Sequence, residues 1–285
     1  MNYRHAYHAG NHADVLKHTI LLAILDALKR KETAFFVLDT HAGRGRYLLS
    51  SQESQKTGES SGGILRLLGE PDLPLPITRY LHAVASDNPV GSVLVYPGSP
   101  LLIAQAMRDQ DRLTACELHP EEAAELKTLF SRDQRVAVHF RDGYEAIKAL
   151  LPPRIDSIRY HRGLVLIDPP YEAQEAEFPR IFTVLADIQT RWPQAHCALW
   201  YPIKQRRNLR PFFRKIASSP IKSALIIELL IRPDDSPLRL NGSGMLILNP
   251  PWQFDAAIAP ALPVFKRMLG EYGASTRLEW IKRES

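Results

Sequence analysis

A carboxylate, two prolines and a tyrosine follow one another at Asp168-Pro169-Pro170-Tyr171, directly after the apolar run Leu164-Val165-Leu166-Ile167. Gly163 and the double proline bound that run, so it reads as a fully buried strand. The strand must stop there, because the prolines have no backbone N–H and Pro169 pushes Asp168 into an extended conformation. Open α/β sheets bind ligands at the carboxyl ends of their strands. The chemistry this cluster suits is methylation of an exocyclic amino group on a base. That nitrogen is a poor nucleophile, since its lone pair is delocalised into the ring. The Asp168 carboxylate and the Pro169 carbonyl can each accept one N–H, which draws the nitrogen toward tetrahedral geometry. The Tyr171 ring can stack on a base flipped out of its helix.

Three further strand ends carry ligand-type residues. Ala34 to Asp39 is a buried strand running into Thr40-His41-Ala42-Gly43-Arg44-Gly45, a glycine turn that lets the backbone approach a nucleotide-like ligand. Asp-x-x-Ala-Gly-x-Gly resembles the first motif of S-adenosylmethionine-dependent methyltransferases. The dinucleotide-binding version needs a third glycine where Leu48 stands, which argues against NAD. Arg44, between the two glycines, has to send its side chain away from the ligand. Arg112 to Glu117 and Val136 to Phe140 are the next strands, ending at Glu117 and at Asp142-Gly143. An acid at the first of these ends accepts hydrogen bonds from ribose hydroxyls. The expected division puts Gly43 and Gly45 under the cofactor's amino-acid part, Glu117 on its ribose, Asp142 on its adenine, and Asp168 on the target nitrogen. No base is needed before attack: the amine becomes cationic as the methyl arrives, and the carboxylate stabilises that charge and then takes the proton.

The elements that must position these residues can be read in order. Asn11 caps a helix that ends near Lys29-Arg30-Lys31. Before it lies a His-rich, aromatic segment, residues 2–10. His5, His8, His12 and His18 lack a carboxylate or Cys at a familiar spacing, so no metal is expected. Residues 50–95 read as an inserted helical subdomain, with a polar loop and short helices at Ile64–Leu68 and Ile77–Ala85. The remainder, 1–49 and 96–285, forms the main domain. Tyr96-Pro97-Gly98-Ser99-Pro100 is a turn with a cap residue. Helices at 121–130, 144–151 and 175–191, a strand at 197–201, a basic helix at 204–217 and strands at 224–231 and 244–248 complete five βα units and a final antiparallel strand. The fold class is therefore α/β, a Rossmann-like methyltransferase fold with a seven-stranded, mostly parallel sheet. The link 232–243 reads as a polar, mobile loop near the site.

Thirty-six Lys and Arg against 31 Asp and Glu give a net charge of +5, which leans toward an anionic partner. The two cysteines, Cys116 and Cys197, lie in apolar runs and read as buried thiols of a reducing compartment. The N-terminal apolar run is too short to span a bilayer and lacks a cleavage site, so a cytoplasmic protein is expected, not bound to a membrane.

Along nearly its whole length the chain is similar to the RlmJ family of bacterial 23S ribosomal RNA adenine-N6 methyltransferases. The matching pieces include His8-Ala9-Gly10-Asn11-His12-Ala13-Asp14-Val15-Leu16-Lys17-His18, Tyr96-Pro97-Gly98-Ser99-Pro100, Glu117-Leu118-His119-Pro120 and Leu199-Trp200-Tyr201-Pro202. The His-rich piece discriminates, because generic methyltransferases lack it. The resemblance implies S-adenosyl-L-methionine as cofactor, with contacts from His18, His41, Ser99, Glu117, Asp142, Gly143 and Asp168. It implies catalysis by Asp168 and a substrate role for Tyr3; His5 and Lys17 join Tyr3 as candidate substrate contacts. The implied partner is 23S ribosomal RNA, naked or partly assembled, and a monomer is expected. A DNA adenine-N6 methyltransferase would share the four-residue motif but usually needs a separate target-recognition domain, for which no block here is large enough. A non-catalytic RNA-binding module would be expected to show damaged cofactor strand ends, and all are intact.

Overall fold

The computed structural model describes residues 8–51, 58–171, 174–237 and 240–283. Tyr3 and His5 lie outside them. An eight-stranded sheet runs through the molecule. Its strands are β1 (Phe36–Asp39), β2 (Arg112–Glu117), β3 (Val136–Phe140), β4 (Gly163–Ile167), β5 (His196–Ile203), β6 (Ala224–Leu230), β7 (Gly242–Leu248) and β8 (Ser275–Lys282). They lie in the order β8-β6-β7-β5-β4-β1-β2-β3. Strands β3, β2, β1, β4 and β5 pair in parallel, whereas β7 is antiparallel to both β5 and β6.

The register aligns the ligand-type residues. Asp39 is opposite both Ala115 and Leu166, Glu117 is opposite Phe140, and Ile167 is opposite Leu199. The ends of β1, β2 and β4 therefore share one edge. These central strands are apolar on both faces because helices cover both. In β4, Leu164 and Leu166 face the core built by α1 (His12–Lys29), α3 (Ser99–Ala106) and α9 (Ala261–Leu269). Val165 and Ile167 face the core built by α5 (Gly143–Leu150), α6 (Gln174–Arg191) and α7 (Arg206–Ala217).

Two predicted features come out differently. The sheet has an eighth strand, β8, antiparallel to β6 at the edge. Its sequence, Ser-Thr-Arg-Leu-Glu-Trp-Ile-Lys, has no continuous apolar run, because an edge strand keeps charged residues on its open side. The short α8 (Phe254–Ile258) and α9 lead into it. In the 50–95 region, α2 (Leu75–Ala85) is an α-helix, but Glu59–Gly62 and Ile64–Leu67 are 3-10 turns. Ile64, Leu67, Ile77, Tyr80 and Val84 are buried in the same core as α1. The short strands Arg46–Leu48 and Val95–Pro97 pair at the base of this region and bring its two ends together.

Helix α1 begins as its sequence indicates. The Asn11 side chain accepts the N–H groups of Ala13 and Asp14, both at 2.9 Å. Cys116 and Cys197 are both buried and free. The described part of the 232–243 link is tied down: the Asn241 amide donates to the Lys204 carbonyl at 2.7 Å and the Ser236 carbonyl at 3.0 Å. Among the described residues no helix is long and apolar enough to cross a membrane.

Candidate active site

Asp168 leaves the end of β4 half-buried, with the buried Pro169 behind it. Its Oδ2 accepts the Lys17 ammonium at 2.5 Å. Lys17 reaches it from α1 and is bonded on its other side to Asp14 Oδ1 at 2.9 Å. Asp14 is fixed in turn, its Oδ2 accepting the Gly10 N–H at 2.9 Å. Burial alone would lower the Lys17 pKa, but the two carboxylates outweigh it and hold the ammonium above its ordinary value. Two carboxylates around one ammonium leave the cluster a net negative charge. Lys17, expected among the substrate contacts, thus has its ammonium on the carboxylate expected to be catalytic.

The hydroxyl of Tyr171 donates to the Trp200 carbonyl at 2.8 Å, and its ring packs 5.8 Å from that of Trp200. The hydroxyl anchors the ring beside the end of β4, with Phe178 6.4 Å away on another side.

The glycine turn is built around two close approaches. Gly43 has φ +61, and a Cβ there would stand 2.2 Å from the Tyr47 hydroxyl. A Cβ on Gly143 would stand 2.0 Å from the Thr40 carbonyl, which brings the start of α5 against the end of β1. The Gly43 N–H donates to Glu117 Oε2 at 2.8 Å, and the His119 N–H donates to Oε1 at 2.7 Å. Glu117 is thus oriented by two backbone donors. Arg44 turns onto α4 (Pro120–Leu129), pairing with Glu122 through Nε at 2.8 Å and a terminal nitrogen at 2.5 Å.

Ser99 does not cap α3. Gly98 holds the cap position, and the Ser99 hydroxyl instead donates to Asp39 Oδ2 at 2.6 Å. Burial pushes the Asp39 carboxyl up to about 7, against the Ser99 bond that lowers it. The Thr40 hydroxyl donates to the Leu166 carbonyl at 2.8 Å, so at 2.8 Å from His41 Nδ1 it can only accept. His41 therefore carries its proton on Nδ1 and presents Nε2 as an acceptor, an assignment from the bonding network. Burial pushes His41 down to about 4, which keeps the ring neutral at pH 7.

Two expected cofactor contacts carry structural duties. Asp142 caps α5, its Oδ1 accepting the Tyr144 and Glu145 N–H groups at 2.7 and 3.2 Å, while Oδ2 pairs with Arg180 at 3.1 Å. His18 is buried in α1, where Nδ1 meets the Tyr96 hydroxyl at 2.7 Å and Tyr96 meets the Tyr80 hydroxyl at 3.0 Å. That polar chain joins α1 to α2. Lys17 on Asp168, Ser99 on Asp39 and Arg180 on Asp142 are pairings that no local pattern announced. The one available signal was the placement of Asp14 and Lys17 on one face of α1, three residues apart.

Residues 32–282 match the family model described as "Ribosomal RNA large subunit methyltransferase D, RlmJ". The chain belongs to the RlmJ family. Two relatives named ribosomal RNA large subunit methyltransferase J are 42% identical over 286 residues in Haemophilus influenzae and 38% identical over 285 residues in Escherichia coli. Both alignments cover 100% of this chain and of the relative. The solved structure of protein LPL1258 from Legionella pneumophila superposes with a TM-score of 0.84 at 32% identity, covering 95% of this chain and 98% of that one. That RlmJ-family match spans every strand of the sheet and the Asp168 motif; the two relatives also span the Asp14–Lys17 stretch of α1.

The residues at the strand ends suit the cofactor of such a methyltransferase. The Gly43 N–H on the Glu117 carboxylate ties the glycine turn to the end of β2, so a backbone turn and an acid stand together at that edge.

Proposed function

We propose that the chain methylates the exocyclic N6 amino group of one adenine in 23S ribosomal RNA, using S-adenosyl-L-methionine. The observation that carries this reading is the Asp168 carboxylate at the end of β4, with Oδ2 held by Lys17. Oδ1 would meet one N–H of the amine and the Pro169 carbonyl the other. The cofactor supplies an electrophilic methyl group on a sulfonium. Gly43, Glu117, Ser99, His41, Asp142 and Gly143 would hold it, with Glu117 accepting from the ribose hydroxyls. His18, held by the Tyr96 hydroxyl, would add a further cofactor contact from α1. Asp168 stabilises the positive charge that develops on N6, helped by the net negative charge it shares with Asp14 and Lys17, and then accepts the proton. The Tyr171 ring, fixed by its hydroxyl, would stack on the flipped adenine. Tyr3 and His5 would add substrate contacts from the N-terminal segment.

The test is transfer of labelled methyl to 23S RNA transcripts, with 16S RNA and duplex DNA as controls, followed by nucleoside analysis. Label recovered as N6-methyladenosine from 23S RNA alone is the expected result. Label on DNA, or on another position of the base, overturns the reading.

Glu117→Ala should weaken cofactor binding about tenfold or more, since charge-assisted hydrogen bonds of this kind contribute about 1.5–3 kcal/mol. The loss includes the orientation of the Gly43 and His119 N–H groups, which that carboxylate now holds. Calorimetric titration showing unchanged affinity would remove Glu117 from the cofactor site.

The basic run on α7 divides by burial. Arg206 is half-buried and committed, its Nε donating to the fully buried Glu228 at 2.8 Å. Arg207, Arg210 and Arg214 are exposed. Replacing these three with Gln should weaken binding of 23S RNA and reduce its salt slope, by about one for each phosphate no longer neutralised. Cofactor affinity should not change. A salt slope equal to wild type would leave this helix as a solvated face.

A further inference from the structure

The carboxyl end of β6 lies on the same edge of the sheet as Asp168. Strands β5 and β6 are both antiparallel to β7, so they run in one direction. Ile167, Leu199, Leu246 and Ile226 share one level across β4, β5, β7 and β6. Asp168 follows Ile167 at once, and Ile231 lies five residues beyond Ile226 in the same direction. Three strand spacings across and four residues along, about 14 by 13 Å, therefore separate Asp168 from Ile231. A few nucleotides of extended single strand cover that distance.

The turn Glu271-Tyr272-Gly273-Ala274 is built onto that end. The Glu271 N–H donates to the Ile231 carbonyl at 2.7 Å, and the Ala274 N–H donates to the Glu271 carbonyl at 3.1 Å. Gly273 has φ +81, the left-handed backbone that the third position of a type II turn requires. A Cβ there would stand 2.6 Å from the Pro233 ring. Arg232 holds the Glu271 carboxylate at 2.5 and 3.2 Å and offsets its charge. The backbone of the turn is thus fixed, while the Tyr272 it carries is 98% exposed. A rigid mount lowers the ordering cost of any contact made by the ring. The ground between Asp168 and this turn is basic. Lys204 and Arg207, both exposed, follow the end of β5, which lies between β4 and β6. Arg206, beside Arg207, reaches the Ser275 hydroxyl at 3.5 Å, so the first turn of α7 and the Tyr272 turn are neighbours.

We propose that Tyr272 is a stacking platform for an unpaired nucleotide of the RNA substrate, a few nucleotides along the strand from the target adenine. The base lies on the Tyr272 ring, and the intervening phosphates pass Lys204 and Arg207. An open aromatic face beside exposed cations fits a single strand, whose bases and phosphates are both available; a duplex keeps its base faces stacked on one another. Exposure by itself does not carry this assignment, as Trp252 shows. Trp252 is 78% exposed, but it follows the end of β7, where Leu248 pairs with Cys197 and Ala224 at the amino ends of β5 and β6. It therefore stands at the opposite edge of the sheet from Asp168. The platform rests on the RNA reading above and adds to it the course of the strand.

The test uses the full chain, S-adenosylmethionine and a 23S RNA transcript. Tyr272→Ala should raise KM for the RNA about tenfold, the size of one lost base–aromatic stack, with kcat within about twofold of wild type. Its salt slope should equal that of wild type, because a stack releases no counterions. Tyr272→Phe keeps the ring face and should keep the wild-type KM. Trp252→Ala, at the opposite edge, should keep it too. Both positions are exposed, so these variants should fold as wild type does. RNAs carrying a single 2-aminopurine at successive positions flanking the methylated adenine then locate the contact. At one position the fluorescence should fall on binding wild type and not on binding Tyr272→Ala. A wild-type KM in Tyr272→Ala, while wild type methylates the same transcript, overturns the platform. So does a rise in KM for Trp252→Ala as large as that for Tyr272→Ala, or the absence of any position whose signal depends on Tyr272. A rise in KM for Tyr272→Phe equal to that for Tyr272→Ala would make the contact a hydroxyl bond and overturn the stack. No methyl transfer by wild type would instead strike the RNA reading itself, and the platform with it.

Discussion

Asp168→Asn should lower the methyl-transfer rate by about 10²–10³-fold or more while the protein stays folded and still binds its cofactor. Asparagine keeps the shape and one acceptor oxygen but removes the negative charge. It therefore isolates the electrostatic contribution from the geometric one. Without the charge, the amine has no counter-ion as it becomes cationic and no carboxylate to take its proton. The Lys17 ammonium would still have Asp14 as partner, so the cluster keeps a neutral pair instead of a stranded cation. Asp168→Ala should be at least as impaired, because the acceptor is gone as well. Single-turnover rates on 23S RNA, with cofactor affinity measured in parallel, separate these effects. Near wild-type methylation by Asp168→Asn would contradict the mechanism. Loss of folding in that variant would make Asp168 a structural strand end.

Lys17→Met should reduce both stability and rate, by different routes. It removes the ammonium that bridges Asp14 and Asp168, whose side chains are 2% and 15% exposed. Breaking a buried pair by deleting one partner typically costs about 3–5 kcal/mol, because the remaining charge is uncompensated. The rate should fall about 10²-fold, since Asp168 loses the bond that fixes its orientation, and small misplacements at a reacting centre carry costs of that size. The double variant Asp14→Asn/Lys17→Met separates the two. Removing the stranded carboxylate should recover part of the stability, a non-additive result expected of groups in direct contact. The rate should not recover, because Asp168 is still unheld. Denaturant unfolding and single-turnover kinetics on the four proteins complete the cycle. If stability and rate recover together, Lys17 serves folding alone.

The sequence by itself determined the catalytic edge of this protein. Largely apolar runs at 36–39, 112–117, 136–140 and 163–167, each ending in a polar or acidic residue or followed at once by one, are local patterns. Burial on both faces makes the central runs, those of β1, β2 and β4, apolar, and prolines or glycine turns terminate strands by covalent geometry. Once the strands were parallel neighbours, Asp39, Glu117 and Asp168 had to come to one edge. The Asn11 cap, the glycine turn and the family resemblance are also short-range signals. Only the tertiary structure decided the partners. Lys17 and Asp168 are 151 residues apart, Ser99 and Asp39 60 apart, and Arg180 and Asp142 38 apart. Which face α1 presents to the end of β4 depends on how its apolar stripe docks on the sheet, and that is a property of the whole core. Ser99 and Asp142 show the same limit from the other side. Both stand at a helix start, yet only Asp142 caps, because the Asp39 carboxylate is within reach of the Ser99 hydroxyl and needs a donor where it is buried. The eighth strand is not legible in the sequence because an edge strand exposes charge and so lacks the apolar run by which the central strands are recognised.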